Sequence, residues 1–115
     1  MFNRGILVAS HGDFASGALM TAEMFVGETT NDRVRTLGLM PGENIVEFEH
    51  YFKNQVDELL DSNQEVIVLT DLIGGSPNNV ALSQFLNLDS VDIVTGFNIP
   101  LLVELISSYD SKINF

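Results

Sequence analysis

The stretch VIVLTDLIGGSP, residues 66–77, decides the fold because it combines a buried strand, a polar loop and the start of a helix. Its first four residues form a short apolar run, which is typical of a strand buried on both faces. Pro77 suits the first turn of a helix that extends through about Leu86, and Ser76 is its predicted N-cap. A strand that passes directly into a helix is the unit from which parallel sheets are built.

Three other parts of the chain show the same alternation. Apolar runs predict strands at residues 6–9 and 91–94, and a shorter candidate lies at 34–39. The first helix should stop near Gly27, the second follows the turn at Pro41-Gly42, and Pro100 opens the fourth. The order βαβαβαβα predicts an α/β fold with an open, mainly parallel four-stranded sheet and helices on both faces, in three α/β/α layers.

Apolar side chains at helical spacing predict which helix faces pack on the sheet. By this criterion Phe25, Phe48 and Phe52 belong to the core. The stripe on the first helix comprises Ala15, Ala18, Leu19, Ala22 and Phe25, and that on the second comprises Ile45, Phe48, Phe52, Val56, Leu59 and Leu60. His50 lies about 200° around the second helix from Phe48, so we expect it to face solvent.

The composition limits the class of protein. A chain of 115 residues, 45% of them hydrophobic, has room for a single domain, 1–115, with one core. Sixteen acidic and five basic residues give a net charge of −11, which disfavours nucleic acid and anionic membranes and favours a basic protein partner. The absence of cysteine excludes disulfides and thiolate chemistry. With no signal peptide or membrane span in view, we expect a cytoplasmic location.

The loops that follow the strands contain the candidate functional residues, because open parallel sheets bind ligands outside the carboxyl ends of their strands. His11 comes at the end of the first strand and Asp71 at the end of the third, so the two are expected to meet. A carboxylate that accepts a hydrogen bond from one ring nitrogen fixes the histidine tautomer and leaves the other nitrogen free as a nucleophile. A histidine held in this way can accept and carry a phosphoryl group.

The same loops have features that favour a bound phosphate. Gly12, Gly74 and Gly75 allow backbone amides to approach an anion closely, and Ser76 adds a hydroxyl just before a helix begins. The three loops contain no lysine or arginine, so amides and the helix N-terminus would have to compensate for the missing positive charge.

Other interpretations of these residues remain open. In one alternative, Asp71 and the glycine-rich loop have structural roles alone, in a turn and at the start of a helix. A histidine beside a strand end is also often structural. Ser76, His11 and Asp71 are the residue types of a hydrolase triad, but Asn78 stands where the nucleophile elbow requires its last glycine. A zinc site built from His11, Asp13 and Asp71 lacks a second nearby histidine, so no metal site is predicted. No nucleotide-binding glycine motif follows the first strand.

Five ordered motifs resemble one known family over nearly the whole chain. They are ILVASHG at residues 6–12, TAEM at 21–24, PGEN at 41–44, DLIGGSPN at 71–78 and GFNIP at 96–100. Together they resemble the enzyme IIA domain of the mannose/fructose/sorbose family of the bacterial phosphoenolpyruvate-dependent sugar phosphotransferase system. This family shares the predicted fold.

The resemblance implies a phosphocarrier. His11 would accept a phosphoryl group from the histidine of HPr, the general phosphocarrier, and pass it to a histidine of the IIB component. Asp71 would orient His11, and Ser76 would lie in the phosphate pocket. The family uses no metal, nucleotide or other cofactor in this step. Its sugars are mannose, fructose, sorbose and related compounds, which the IIA domain never touches, and membrane contact is indirect, through the IIC/IID transporter.

The resemblance also implies a homodimer, with one departure. Family members usually continue past the fourth helix with a segment that includes a strand exchanged between subunits, whereas this chain stops at Asn114-Phe115. We therefore expect either a shortened chain or a shorter member of the family.

Two alternative functions share the fold. The phosphotransferase subunit of dihydroxyacetone kinase usually has serine after the histidine and lacks the full Gly-Gly-Ser-Pro run, so Gly12 and residues 74–77 favour the sugar system. A non-catalytic regulatory domain is the other alternative, and the presence of both His11 and Asp71 argues against it.

Overall fold

The computed structural model describes residues 3–108, which alternate strictly between strands and helices. The elements are β1 (Arg4–His11), α1 (Phe14–Val26), β2 (Val34–Leu39), α2 (Ile45–Ser62), β3 (Glu65–Thr70), α3 (Ser76–Phe85), β4 (Val91–Thr95) and α4 (Ile99–Ser107). The C-terminal departure from the family noted above lies outside the described residues.

The four strands form one parallel sheet in the order β2-β1-β3-β4. Because β1 and β3 are neighbours in the centre, Val8 pairs with Leu69 and Ala9 with Thr70. The carboxyl ends of all four strands therefore lie along one edge of the sheet. The predicted open, parallel four-stranded sheet is confirmed.

Both faces of the sheet are covered, which explains why its central strands are continuously apolar. Ile6 and Val8 pack in a cluster with α1 and α4, while Leu7 and Ala9 point to the opposite face and pack with α2 and α3. Side chains alternate between faces along a strand, so each strand contributes to both clusters. The predicted three-layer α/β/α arrangement is confirmed.

The helices begin where the sequence supplies suitable residues. The Asn44 side chain accepts hydrogen bonds from the amides of Val46 and Glu47 and so caps α2. Asn98 caps α4 in the same way, at 2.8 Å from the Leu101 amide, and Pro100 occupies the first turn as predicted. On α2, four predicted core residues are fully buried: Phe48, Phe52, Val56 and Leu59.

Two predicted core positions are wrong. Phe25 is 74% exposed and Ile45 is 41% exposed. On α1 the buried face is centred on Ala15, Ala18 and Ala22, and Val26 lies closer to its centre than Phe25 at 100° per residue. Ile45 is the first residue of α2, and it lines a surface cleft instead of joining the core.

Candidate functional site

The site forms where β1 and β3 end beside each other. His11 is the last residue of β1, and Asp71 directly follows the last residue of β3. Since the two strands are hydrogen-bonded neighbours, residues 60 apart in sequence come into direct contact. The structure thus brings together the two residues that sequence reasoning paired.

Asp71 holds His11 at two points through a single oxygen. Oδ2 accepts a hydrogen bond from the His11 backbone amide at 2.9 Å, and the same oxygen lies 2.9 Å from Nδ1 of the His11 ring. The other oxygen, Oδ1, accepts from the Leu72 amide at 3.0 Å. The carboxylate therefore fixes both the end of the strand and the orientation of the imidazole.

The charge of Asp71 sets the tautomer of the ring. Burial raises the pKa of this carboxyl, but hydrogen bonds from the His11 amide and ring and the attraction of the ring outweigh it, and the pKa lies below its ordinary value. An ionised carboxylate can only accept, so Nδ1 carries the proton and the lone pair of neutral histidine is on Nε2. The His11 side chain is 45% exposed and that of Asp71 only 9%, so an incoming group can reach the ring.

The imidazole lies against the glycine-rich loop. A Cβ built on Gly75 would lie 2.7 Å from His11 Cε1, closer than side chains tolerate, and 3.4 Å from Nε2. Gly74 adopts φ +78°, and the Gly75 amide closes the turn by donating to the Leu72 carbonyl at 3.3 Å. Gly75 therefore provides the space that the ring occupies.

The third helix points its N-terminus into the site, with one correction to the prediction. Gly75, and not Ser76, is the N-cap, and Ser76 is the first helical residue. Pro77 is the next residue. It has no amide hydrogen, but amides in the first turn of a helix have no partner within the helix, so proline costs no hydrogen bond at this position. Within residues 3–108 the amides of Ser76 and Asn78 make no hydrogen bond, which leaves two donors of the kind that bind anions at helix N-termini.

Gly12 differs from Gly74 and Gly75 in what it contributes. Its amide donates to the Leu39 carbonyl at 2.8 Å and so extends the pairing of β1 with β2. Its φ of +56° then turns the chain into α1. Gly12 lines the open space beside His11 but has no free N–H to offer an anion.

An open cleft of about 580 Å³ lies beside the ring. One wall is His11, Gly12 and Ser76, and the other is the segment between β2 and α2, with Leu39, Met40, Pro41, Gly42, Glu43 and Ile45. Sequence reasoning did not assign this second wall to the site. Its position follows from the strand order, since β2 ends next to β1 on the same edge of the sheet.

Two supporting features were also missed. Ser10 is buried, and its hydroxyl oxygen accepts a hydrogen bond from the Ala15 amide at 2.7 Å, so it stabilises the first turn of α1. Under the start of α3, the hydroxyls of Thr70 and Thr95 both donate to Asn78 Oδ1. The buried polar side chain of Asn78 ties α3 to the ends of β3 and β4, and a polar residue just after Pro77 was the available signal.

Three exposed apolar residues lie close to His11 and Asp71 in the sequence. Phe14, which stacks on Phe97 with ring centroids 5.3 Å apart, is half exposed, and Leu72 and Ile73, which directly follow Asp71, are exposed, Ile73 at 86%. We call Phe14, Leu72 and Ile73 the apolar rim. Exposed apolar side chains that form a patch are typical of a protein-docking surface.

The geometry supports neither a metal site nor a hydrolase triad at this position. Across residues 3–108, no three carboxylate, histidine or cysteine side chains gather in a way that could hold a metal ion. Ser76 lines the same cleft as His11, but its hydroxyl makes no hydrogen bond to the ring, as a triad nucleophile would. His50 is exposed, as predicted, and lies on α2 away from the cleft lining.

No helix in the described part of the chain is long and apolar enough to cross a membrane.

Similarity to known proteins identifies the family of this chain. The family model of phosphotransferase-system (PTS) fructose IIA components, EIIA-man, matches residues 5–114. The mannose-specific EIIAB component of the PTS of Escherichia coli is 34% identical over 110 residues, 96% of this chain. The fructose-specific EIIA component of Bacillus subtilis is 28% identical over 102 residues, 89% of this chain and 68% of that protein. The chain spans about a third of the length of the Escherichia coli component.

Solved structures agree in fold and sequence. A PTS IIA protein associated with the fucose utilization operon of Streptococcus pneumoniae is 98% identical, with a TM-score of 0.96, over 98% of this chain and 83% of that chain. The EIIA component from Streptococcus agalactiae is 26% identical with a TM-score of 0.78, over 91% of this chain and 78% of that one. The chain belongs to the EIIA-man family and is a IIA component of the mannose/fructose type of the phosphotransferase system.

Proposed function

We propose that the chain is a phosphocarrier in which His11 accepts a phosphoryl group from HPr and passes it to a IIB component. The observation that carries the proposal is the contact between Asp71 and His11 Nδ1, at 2.9 Å, because it leaves Nε2 as an accessible nucleophile. Membership of the family supplies the reaction class. The domain that performs it would be residues 1–115.

The proposed step moves only the phosphoryl group. The lone pair of Nε2 attacks phosphorus, a P–N bond forms at His11, and the electron pair of the breaking P–N bond returns to the donor's ring nitrogen. Nδ1 keeps its proton throughout, and the positive charge that develops on the His11 ring is stabilised by the Asp71 carboxylate. Transfer to IIB is the same step with His11 as the donor.

The phosphate pocket would consist of backbone more than of charged side chains. The free amides of Ser76 and Asn78 stand at the N-terminus of α3, where the helix dipole favours negative charge. The Ser76 hydroxyl lines the same cleft as His11 and would donate to a phosphoryl oxygen. Gly74 and Gly75 would let the phosphoryl group and the ring approach this backbone closely.

The partners would dock on the apolar rim, whose exposed residues lie close in sequence to His11 and Asp71. The net charge of −11 would attract a partner whose surface is basic. We propose a cytoplasmic homodimer that uses no cofactor and that contacts the membrane only through the IIC/IID transporter. Its near-identity to a protein associated with a fucose utilization operon supports a role in a fucose-linked sugar system. In that role the IIA component would not bind the sugar itself.

Phosphorylation with purified components tests the proposal. We expect the chain, incubated with enzyme I, HPr and phosphoenolpyruvate, to acquire an acid-labile phosphoryl group that is lost in His11→Ala. His50→Ala is the matched control, since the chain has only these two histidines and His50 is exposed on α2, and it should be labelled normally. Labelling of His11→Ala would refute the assignment. Continuous release of inorganic phosphate without a labelled chain would indicate a hydrolase instead.

A further inference from the structure

A groove between α2 and α3 opens directly from the His11 cleft. Its volume is about 330 Å³, and it shares Ile45 and Ser76 with the cleft that His11 lines. The rest of its lining is Glu49 from α2 and Asn79, Val80 and Ser83 from α3. A protein that docks over His11 would therefore also reach this groove.

The Glu49 carboxylate has no partner in this groove, although the backbone carbonyl of Glu49 accepts a hydrogen bond from Gln84 Nε2 at 2.9 Å. Glu49 is partly buried, and within residues 3–108 its carboxylate makes no hydrogen bond or ion pair. Lys53, one turn further along α2, is already engaged by Asp57 at 2.6 Å. Glu43, which lines the His11 cleft, accepts a hydrogen bond from the Met40 amide at 3.0 Å, whereas no group of residues 3–108 binds the Glu49 carboxylate. An unpaired carboxylate in an open groove is available to a cationic side chain of a docking partner.

The residues that line the two cavities indicate which kind of partner side chain would bind in the groove. Neither the His11 cleft nor the groove is lined by any lysine or arginine of residues 3–108, although a phosphoryl group must enter one of them. Any cationic side chain near the phosphoryl group would therefore come from the partner, in addition to the free amides at the start of α3. The complementary ligand of the groove is a lysine or arginine side chain next to the partner's histidine.

We propose that Glu49 receives a basic side chain of the phosphoryl donor, HPr, and is a specificity-determining residue for that encounter. This inference rests on the proposed function of His11. Glu49 touches neither the phosphoryl group nor the ring, so it contributes to docking and not to the chemical step. Its removal should change how much donor is needed and leave the limiting rate alone.

Single-turnover transfer from phosphorylated HPr tests this role. We expect Glu49→Gln to raise the half-saturating concentration of phospho-HPr about tenfold, as for loss of a close interfacial charge pair, with the limiting rate unchanged. Glu47→Gln is the control, because it removes the same charge from an exposed position on the same helix that lines neither cavity. It should have less than about a twofold effect, and the difference between the two variants should shrink at high salt.

Charge reversal identifies the contact. Glu49→Lys should weaken transfer further, and changing one lysine or arginine around the HPr histidine to glutamate should restore it selectively. Equal behaviour of Glu49→Gln and Glu47→Gln, or a failure of every such HPr variant to rescue Glu49→Lys, would overturn the inference while leaving the function of His11 intact. If the wild-type chain accepts no phosphoryl group from HPr, the proposed function and this inference both fail.

Discussion

Gly75 and His11 are packed so closely that a Cβ on Gly75 would lie 2.7 Å from the ring carbon Cε1. The ring is already fixed on its other side by Asp71, which holds both Nδ1 and the backbone amide of His11. The imidazole thus has little freedom to move away from Gly75. The glycine at this position is required by the ring, and its own amide is used in the turn to Leu72.

Gly75→Ala should therefore impair phosphoryl transfer without unfolding the protein. Because Asp71 restricts the ring, the added methyl group would strain this contact and change the position of Nε2 relative to the amides at the start of α3, and small displacements of a reacting group cost up to about 100-fold in rate. We expect transfer from phospho-HPr to slow about 10- to 100-fold, while the circular dichroism spectrum stays that of the parent chain.

Gly17→Ala is the matched control for this change. Gly17 is exposed on α1, and a Cβ there has no neighbour within 4 Å. Alanine in a helix interior should stabilise the protein by about 0.5–1 kcal/mol and leave transfer unchanged. Normal transfer in Gly75→Ala would show that the loop yields to the methyl group and that the ring does not depend on Gly75.

Asp71 should also make the stability of the protein depend on pH. Because its pKa is lower in the folded chain than the ordinary 3.8, its ionised form stabilises the fold above that pH, and this contribution is lost as the pH falls through the folded pKa. Asp71→Asn has no such titration. The difference in unfolding free energy between the parent chain and Asp71→Asn should therefore shrink between about pH 5 and pH 2.

Urea denaturation of both proteins across this range measures that difference. The comparison cancels the other carboxylates, which titrate in both chains. A difference that stays constant down to pH 2 would mean that the contacts of Asp71 with His11 do not favour its ionised form.

The sheet and the meeting of His11 with Asp71 followed from the sequence because both depend on short-range signals. A run such as residues 66–69 is apolar on both faces because helices cover both faces of the sheet, and this arrangement is typical of parallel sheets. In a parallel sheet the loops that follow the strands lie at one edge, where ligands bind. Pro77 and Pro100 then mark helix starts through their own geometry.

Features that depend on side-chain direction or on distant partners did not follow. The choice between Phe25 and Val26 on α1 depends on which way the helix is rotated against the sheet, and α1 carries apolar residues on both of its sides. Ser10 stabilises α1 from five residues before Ala15, outside the usual capping position. The contact of Gly75 with His11 requires the orientation of the ring, which Asp71 sets from another strand.

The exposure of Phe25 gives a prediction about the fold. Phe25→Ser should change the unfolding free energy by less than about 0.5 kcal/mol, because a side chain that is 74% exposed has little packing to lose. Phe52→Ala is the comparison, since Phe52 is fully buried between Phe48 and Phe85, with ring centroids 5.8 and 5.9 Å away, and should lose about 3–5 kcal/mol. Denaturant titration measures both values, and sedimentation velocity reports the size of each variant. Destabilisation of Phe25→Ser by more than about 1 kcal/mol, or a change in its sedimentation, would mean that this side chain is covered in solution, for example by a second subunit.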